Sequence, residues 1–312
     1  MNRRKFIESL AAVGVGTALF PSLVSAAPSG GKKKKKGPVT LDRNLVCIIT
    51  DTHVRPGRYQ QEYFEKTIDG ILALNPRPLN VLCLGDIAYL TGKKEEYLAA
   101  KQGLDRLEQA GITVTMTMGN HDRRANFAEV FPEKAAKSEL SHRMVYTVTT
   151  PNADFILMDS LQEGEDHEKW INQGDIDPEQ RAWLEAKLET YTSKPVFVMA
   201  HHAIHETKLG KLLMKYPCCK GYIYGHEHIW KSGWAHLNFR DRPMLRTLCL
   251  PSTGHWGDIG FTLLQLDGNN ACASFVQDTF FFPKPLKEGE AKPAIWAEIE
   301  RDHSSAICNF PF

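Results

Sequence analysis

Five short apolar runs, each ended by a cluster of Asp, Asn or His, constrain this chain more than any other feature. The runs are residues 45–50, 79–84, 113–118, 195–200 and 221–224. They lead directly into Asp51-Thr52-His53, Gly85-Asp86, Gly119-Asn120-His121-Asp122, His201-His202 and Gly225-His226-Glu227-His228. A short apolar, β-branched run bounded by polar residues reads as a buried strand. Polar clusters that all follow their strands read as one site at the carboxyl edge of a sheet, where open α/β sheets bind ligands.

Helix signals stand between these strands. Residues 60–74 carry Phe64, Ile68, Ile71 and Leu72 on one face, and residues 93–110 carry Tyr97, Ala100, Leu104 and Leu107. Asp177-Pro178-Glu179-Gln180 is a helix start, with Asp as N-cap, Pro in the first turn and Gln three residues on. That helix is predicted to run to about Tyr191. Further strand candidates are residues 144–149, 155–159, 244–250, 261–266 and 271–277. The turn residues Asp267-Gly268-Asn269-Asn270 join the last two as a hairpin. These late strands lack intervening helices, which predicts a second, more antiparallel sheet. The class is α/β.

Carboxylate and imidazole donors together suit first-row divalent or trivalent metals. Asp86 follows a glycine, which allows close backbone approach. A carboxylate has two oxygens with spare lone pairs and can bridge two cations. Asp51 and His53 alternate along an extended chain, so a break at the strand end is needed to turn both to one side. Asn120 is a neutral oxygen donor that holds a metal without adding negative charge. A metalloprotease is excluded: no H-E-x-x-H occurs, and His226 and His228 have the wrong spacing for one helical face.

The ordered set D-x-H, G-D, G-N-H-D, H and G-H-x-H, from Asp51 to His228, resembles the calcineurin-like metallophosphoesterase family. The resemblance implies two packed β-sheets flanked by helices, a four-layer αββα sandwich. It also implies two metal ions, of iron, manganese or zinc. Asp51, His53 and His228 would bind one metal, Asn120, His201 and His226 the other, and Asp86 would bridge. A metal-bridging hydroxide would attack phosphorus, with His121 as general acid. Asp122 beside it is a candidate to orient or charge-stabilise that imidazole. His202, next to a ligand, and His255, after a late strand, are candidate substrate contacts. Trp256 and Asp159 read as structural.

The run Gly85-Asp86-Ile87-Ala88 with Gly92 and Glu95-Glu96-Tyr97, and the His201-His202 pair, are similar to the cyclic-nucleotide and glycerophosphodiester phosphodiesterase branch. Ala203 stands where that branch often has Pro, and Tyr89 where many members have Asp or Asn. The predicted activity is hydrolysis of small-molecule phosphate esters, with diesters favoured. The alternatives are a phosphomonoesterase of the same fold and a non-catalytic metal- or phosphate-binding relative.

At 312 residues and 42% hydrophobic, the chain can bury a large core, and a single catalytic domain is predicted over residues 41–280. Residues 1–36 hold eight basic residues and one acid. Taking these from the 38 basic and 37 acidic residues of the whole leaves 30 against 36, a net −6. A mildly acidic body argues against a nucleic-acid partner. Arg3-Arg4 before a small, apolar stretch and Val24-Ser25-Ala26 predict an export signal of twin-arginine type over residues 1–26. A Gly/Lys-rich linker, 27–40, follows. The expected destination is the periplasm or the exterior, with no integral span in the mature chain. Seven Cys without a C-x-x-C pair predict buried thiols and no disulfide framework. Residues 281–312, rich in Pro, Lys and Glu, read as a C-terminal extension.

Overall fold

The computed structural model describes residues 38–235, 245–281 and 306–312. The expected export signal, most of the expected linker and most of the expected C-terminal extension lie outside the described residues. The architecture is two mixed six-stranded sheets, packed together and flanked by helices. The first sheet contains β1 (Leu41–Ile49), β2 (Arg77–Cys83), β3 (Thr113–Met116), β10 (Gly257–Leu266), β11 (Asn270–Phe281) and β12 (Ile307–Pro311), in the order β12-β11-β10-β1-β2-β3. The second contains β4 (Tyr146–Thr149), β5 (Asp154–Leu157), β6 (Val196–Met199), β7 (Cys219–Tyr224), β8 (Lys231–Ala235) and β9 (Leu245–Cys249), in the order β4-β5-β6-β7-β9-β8.

Strand alternation explains the layering. Successive side chains of a strand point to opposite faces. In the second sheet Phe155, Leu157, Phe197, Met199 and Ile223 join the core shared with the first sheet. Their neighbours Ile156, Met158, Val196, Val198, Tyr222 and Tyr224 form a second core on the other face. There they meet Leu184 and Leu188 of α5 (Pro178–Glu189), which starts where Asp177 accepts a 2.9 Å hydrogen bond from the Gln180 amide. On the first sheet, α1 (Tyr59–Ala73) packs against β2 and β10, and α2 (Lys94–Gln109) packs against α1 and β3. Both helices end within a residue or two of the expected positions, ordinary scatter for helix termini.

The expected grouping of the late strands is corrected. They do not form a sheet of their own. β8 and β9 extend the second sheet, while β10, β11 and β12 extend the first, with β10 antiparallel to β1. Hydrophobic period shows which faces of a strand are buried and not which strand lies beside it. The β10–β11 hairpin forms as expected. β12 pairs with β11 and carries the fully buried Phe310, whose ring centroid is 5.2 Å from that of Phe197 in the opposite sheet. A Cβ at Gly221 of β7 would sit 2.6 Å from that ring, so only glycine fits beneath it. All seven cysteines are free thiols, six of them buried. Among the described residues, no helix is long and apolar enough to cross a membrane.

Candidate metal centre

The parallel strands β1, β2 and β3, and β5, β6, β7 and β9, bring their carboxyl ends to one edge. Past β1 and β2 the two chains stay joined: the Asp51 amide donates to the Gly85 carbonyl at 3.1 Å, and the His53 amide to Asp86 at 2.9 Å. The break that Asp51 and His53 require is there. Both take left-handed backbone, with φ of 52° and 42°, as do Asp86 at 49°, His226 at 69° and His228 at 55°. Such conformations cost non-glycine residues on the order of 1–3 kcal/mol each and gather where function demands them. Glycine permits a close approach here: a Cβ at Gly119 would lie 2.3 Å from Oδ1 of Asp86.

The two buried carboxylates are divided in the same way. Oδ2 of Asp51 accepts from the Thr50 hydroxyl at 2.8 Å and the His226 amide at 3.0 Å, while Oδ1 faces Nε2 of His228 at 3.2 Å. Oδ1 of Asp86 accepts from the His121 amide at 2.8 Å, while Oδ2 faces Nε2 of His201 at 3.2 Å and Nε2 of His53 at 3.5 Å. One oxygen of each is anchored to the protein and the other is turned to the centre, although Oδ1 of Asp51 also lies 3.3 Å from the shared His226 amide. Asp86 therefore addresses both halves through a single oxygen, not through one oxygen each.

The imidazoles are oriented by backbone carbonyls. Nδ1 of His53 donates to Tyr89 O at 2.9 Å, that of His201 to Leu84 O at 3.0 Å, and that of His228 to Trp256 O at 2.9 Å. These bonds place the proton on Nδ1 and turn the Nε2 lone pair inward, the usual arrangement of a metal-ligating histidine. His226 is inverted: its Nδ1 faces Oδ1 of Asn120 at 3.0 Å and Nε2 of His201 at 3.2 Å. Oδ1 of Asn120 also lies 3.1 Å from Nε2 of His201. The ligating atoms of Asp51, His53 and His228 lie within 4.8 Å of one another, as do those of Asp51, Asp86 and His201.

Acceptors thus face acceptors. The buried Nε2 of His53 has no hydrogen-bond partner among the described residues. The local field favours positive charge. Burial opposes ionisation of Asp51 and Asp86, yet neighbouring imidazoles, led by His228 and His201 respectively, hold both carboxyls below the usual range. Burial likewise opposes a charged His201, but Asp86 and Asp51 outweigh it and raise that ring to about 9, so the carboxylates draw positive charge to its Nε2, a proton where no metal ion supplies it. Burial lowers His53 to about 3 and His226 to about 4, which keeps their lone pairs free. A donor set of carboxylate, amide oxygen and neutral imidazole fits two adjoining transition-metal ions.

The remaining sequence candidates fall differently. His121 joins the centre: one ligating atom lies within 4.8 Å of those of His53 and Asp86, and Nδ1 donates to Leu90 O at 2.7 Å. Asp122 does not reach that ring, which corrects the orienting role expected for it. Its carboxylate accepts from the amides of Ile87 and Ala88, both at 3.1 Å, of Gly119 at 2.9 Å, and from the Tyr97 hydroxyl at 3.0 Å. Burial, then Asp86, raises it to about 7. Asp122 clamps the second cluster to the third from beneath. His202 is buried, with Nδ1 2.8 Å from the Ser160 hydroxyl and Nε2 unpartnered among the described residues. Its ligating atom lies within 4.8 Å of those of His201 and His226. The His255 ring stands 4.5 Å from that of His53, with Nδ1 3.1 Å from the Tyr59 hydroxyl. Asp159 is structural, as expected: the Arg124 guanidinium spans its two oxygens at 2.7 and 2.8 Å. Sequence reasoning missed Trp170, whose ring centroid is 4.8 Å from that of His121.

Residues 45–230 match the model of the calcineurin-like phosphoesterase family. A dimetal phosphatase from Danio rerio superposes with a TM-score of 0.58 at 17% identity, over 77% of this chain and 96% of that one. PhoD superposes with a TM-score of 0.54 at 10% identity, over 74% of this chain and 65% of that one. At these identities the likeness is one of fold. No curated protein matches the sequence. With the family's model matched over more than half its length, the chain belongs to the calcineurin-like phosphoesterases.

Proposed function

We propose that the protein is an exported, binuclear-metal phosphoesterase that favours phosphodiesters and uses His121 as its general acid. The observation that carries this reading is the convergence of ligating atoms around Oδ2 of Asp86, with His121 at its side. In it, Asp51, His53 and His228 hold one cation, Asn120, His201 and His226 the other, and Asp86 both. Bound cations would supply Lewis acidity at the phosphoryl oxygens and lower the pKa of the attacking water.

The chain's own groups do the rest. The carbonyls of Tyr89, Leu84 and Trp256 fix three rings, so the ligands need little reorganisation. Nδ1 of His121 is committed to Leu90 O, which leaves Nε2 to carry the proton for the departing alkoxide. The preference for diesters rests on the sequence likeness to the phosphodiesterase branch, and export rests on the arginine pair and small-residue cleavage pattern.

The test is hydrolysis of bis-p-nitrophenyl phosphate and p-nitrophenyl phosphate by the full-length mature protein, loaded with manganese, iron or zinc and then chelated. Chelator-sensitive turnover with higher kcat/KM on the diester is expected. Higher kcat/KM on the monoester would make it a phosphomonoesterase of the same fold. No turnover with any metal would make it a binding relative.

A further inference from the structure

We propose that Trp170 is a leaving-group platform that selects phosphoesters whose leaving alcohol carries a planar ring. The inference rests on His121 being the general acid, because the group that protonates the leaving oxygen marks the side on which the leaving group lies.

Trp170 lies in the long stretch between β5 and α5, outside any helix or strand. It is 42% exposed, costly for the largest apolar side chain. Single exposed aromatics are ordinary on protein surfaces, but two observations separate this one. Its ring is tilted at 44° against His121 and extends a row of rings that runs outward from Tyr59 through His255, His53 and His121. The backbone around it is also fastened to the site. The Arg123 guanidinium donates to Lys169 O, that of Arg124 to Glu163 Oε2, and the Asp175 amide to Ser160 O at 3.2 Å. Gly174 lies so close to the His202 ring that a Cβ there would sit 2.3 Å from it. The chain thus holds a large π-face in water beside the proposed acid. A planar group laid on it recovers buried area and stacking, worth about 1–3 kcal/mol for a base on an aromatic side chain. By the thermal factor that is roughly 5–150-fold.

The experiment uses metal-loaded protein and three methyl phosphodiesters whose leaving alcohols are of similar acidity: a nucleoside 5′-alcohol, benzyl alcohol and the ringless glycerol. Wild type is expected to show at least about fivefold higher kcat/KM for the nucleoside than for glycerol. Trp170→Ala should abolish that ratio through KM, with by far the larger loss on the nucleoside ester, and Trp170→Phe should restore most of it. A benzyl preference equal to the nucleoside one means that the platform reads any ring; a smaller one means that it reads a base. Equal loss on all three esters in Trp170→Ala, or an unchanged ratio, overturns the proposal. Calorimetric binding of a nucleoside 5′-monophosphate against ribose 5-phosphate gives the same comparison without turnover. If wild type hydrolyses none of the esters, the proposed function fails while binding still decides Trp170.

Discussion

The backbone amide of His121 donates to Oδ1 of Asp86 across 2.8 Å, so the proposed acid and the proposed bridging carboxylate are held in register by a single hydrogen bond. Oδ2 of the same carboxylate faces His53 and His201 from the two halves of the centre.

Asp86→Ala should therefore cost both metals, whereas His53→Ala should mainly weaken one. Metal content per chain after purification under limiting metal distinguishes them. Two equivalents retained in Asp86→Ala would remove the bridging assignment.

His121→Ala should leave metal content nearly intact and slow the hydrolysis of alkyl diesters by about 10²–10⁴-fold, the range of general acid catalysis. A p-nitrophenolate departs without much protonation, so the loss on nitrophenyl esters should be far smaller. Rates on both classes at matched metal occupancy are the measurement. An equal loss on both would count against the acid role and favour one in positioning phosphate.

Gly119→Ala places a methyl group only 2.3 Å from Oδ1 of Asp86. Metal affinity should fall at least about tenfold, as it does when groups supporting a ligand are disturbed. Gly268→Ala, with nothing within 4 Å of the new atom, is the control and should behave as wild type. Calorimetric metal titration reads both variants, and unchanged affinity in Gly119→Ala would show that the carboxylate can move freely.

Arg124→Ala strips the guanidinium from Asp159, whose side chain is fully buried. Removing one partner of a buried pair costs about 3–5 kcal/mol because the other charge is left uncompensated. Urea denaturation should show a loss of that order. Arg124→Lys should recover only part, since an ammonium cannot span both oxygens. A loss below about 1 kcal/mol in Arg124→Ala would mean that water replaces the guanidinium.

Residues 1–30 fused to a folded reporter should carry it out of the cytoplasm, and Lys at both Arg3 and Arg4 should stop this. Export that survives the double substitution would place the signal on the general route rather than the twin-arginine one.

What could be read from the sequence follows from what each signal encodes. The ligand candidates were legible because a polar cluster behind a short apolar run has no role in a core, and the helices because their period is local. The neighbours of β10 and β11 were not, since pairing depends on which strand edge is left open. Asp122 was misjudged because adjacency along the chain says nothing of the turn after Gly119, which sends its carboxylate under the loop toward Ile87 and Ala88. Trp170 stands in a polar stretch without period, and long-range fastenings such as that of Arg123 on Lys169 O bring it to His121. One clue was available: Trp170 and Ile171 are an apolar pair in a stretch otherwise made of Glu, Asp, Lys, His, Asn and Gln.

Phe310 gives the fold a direction in time. The ring that fills the space over Gly221 and against Phe197 arrives on β12, so a ribosome must read through that strand before the interior is sealed. A nascent chain halted after β11 would hold every proposed ligand and still lack the ring that fills the groove between its sheets. Premature stop codons between β11 and β12 should thus yield products that keep every proposed ligand and are nonetheless cleared by cellular proteases.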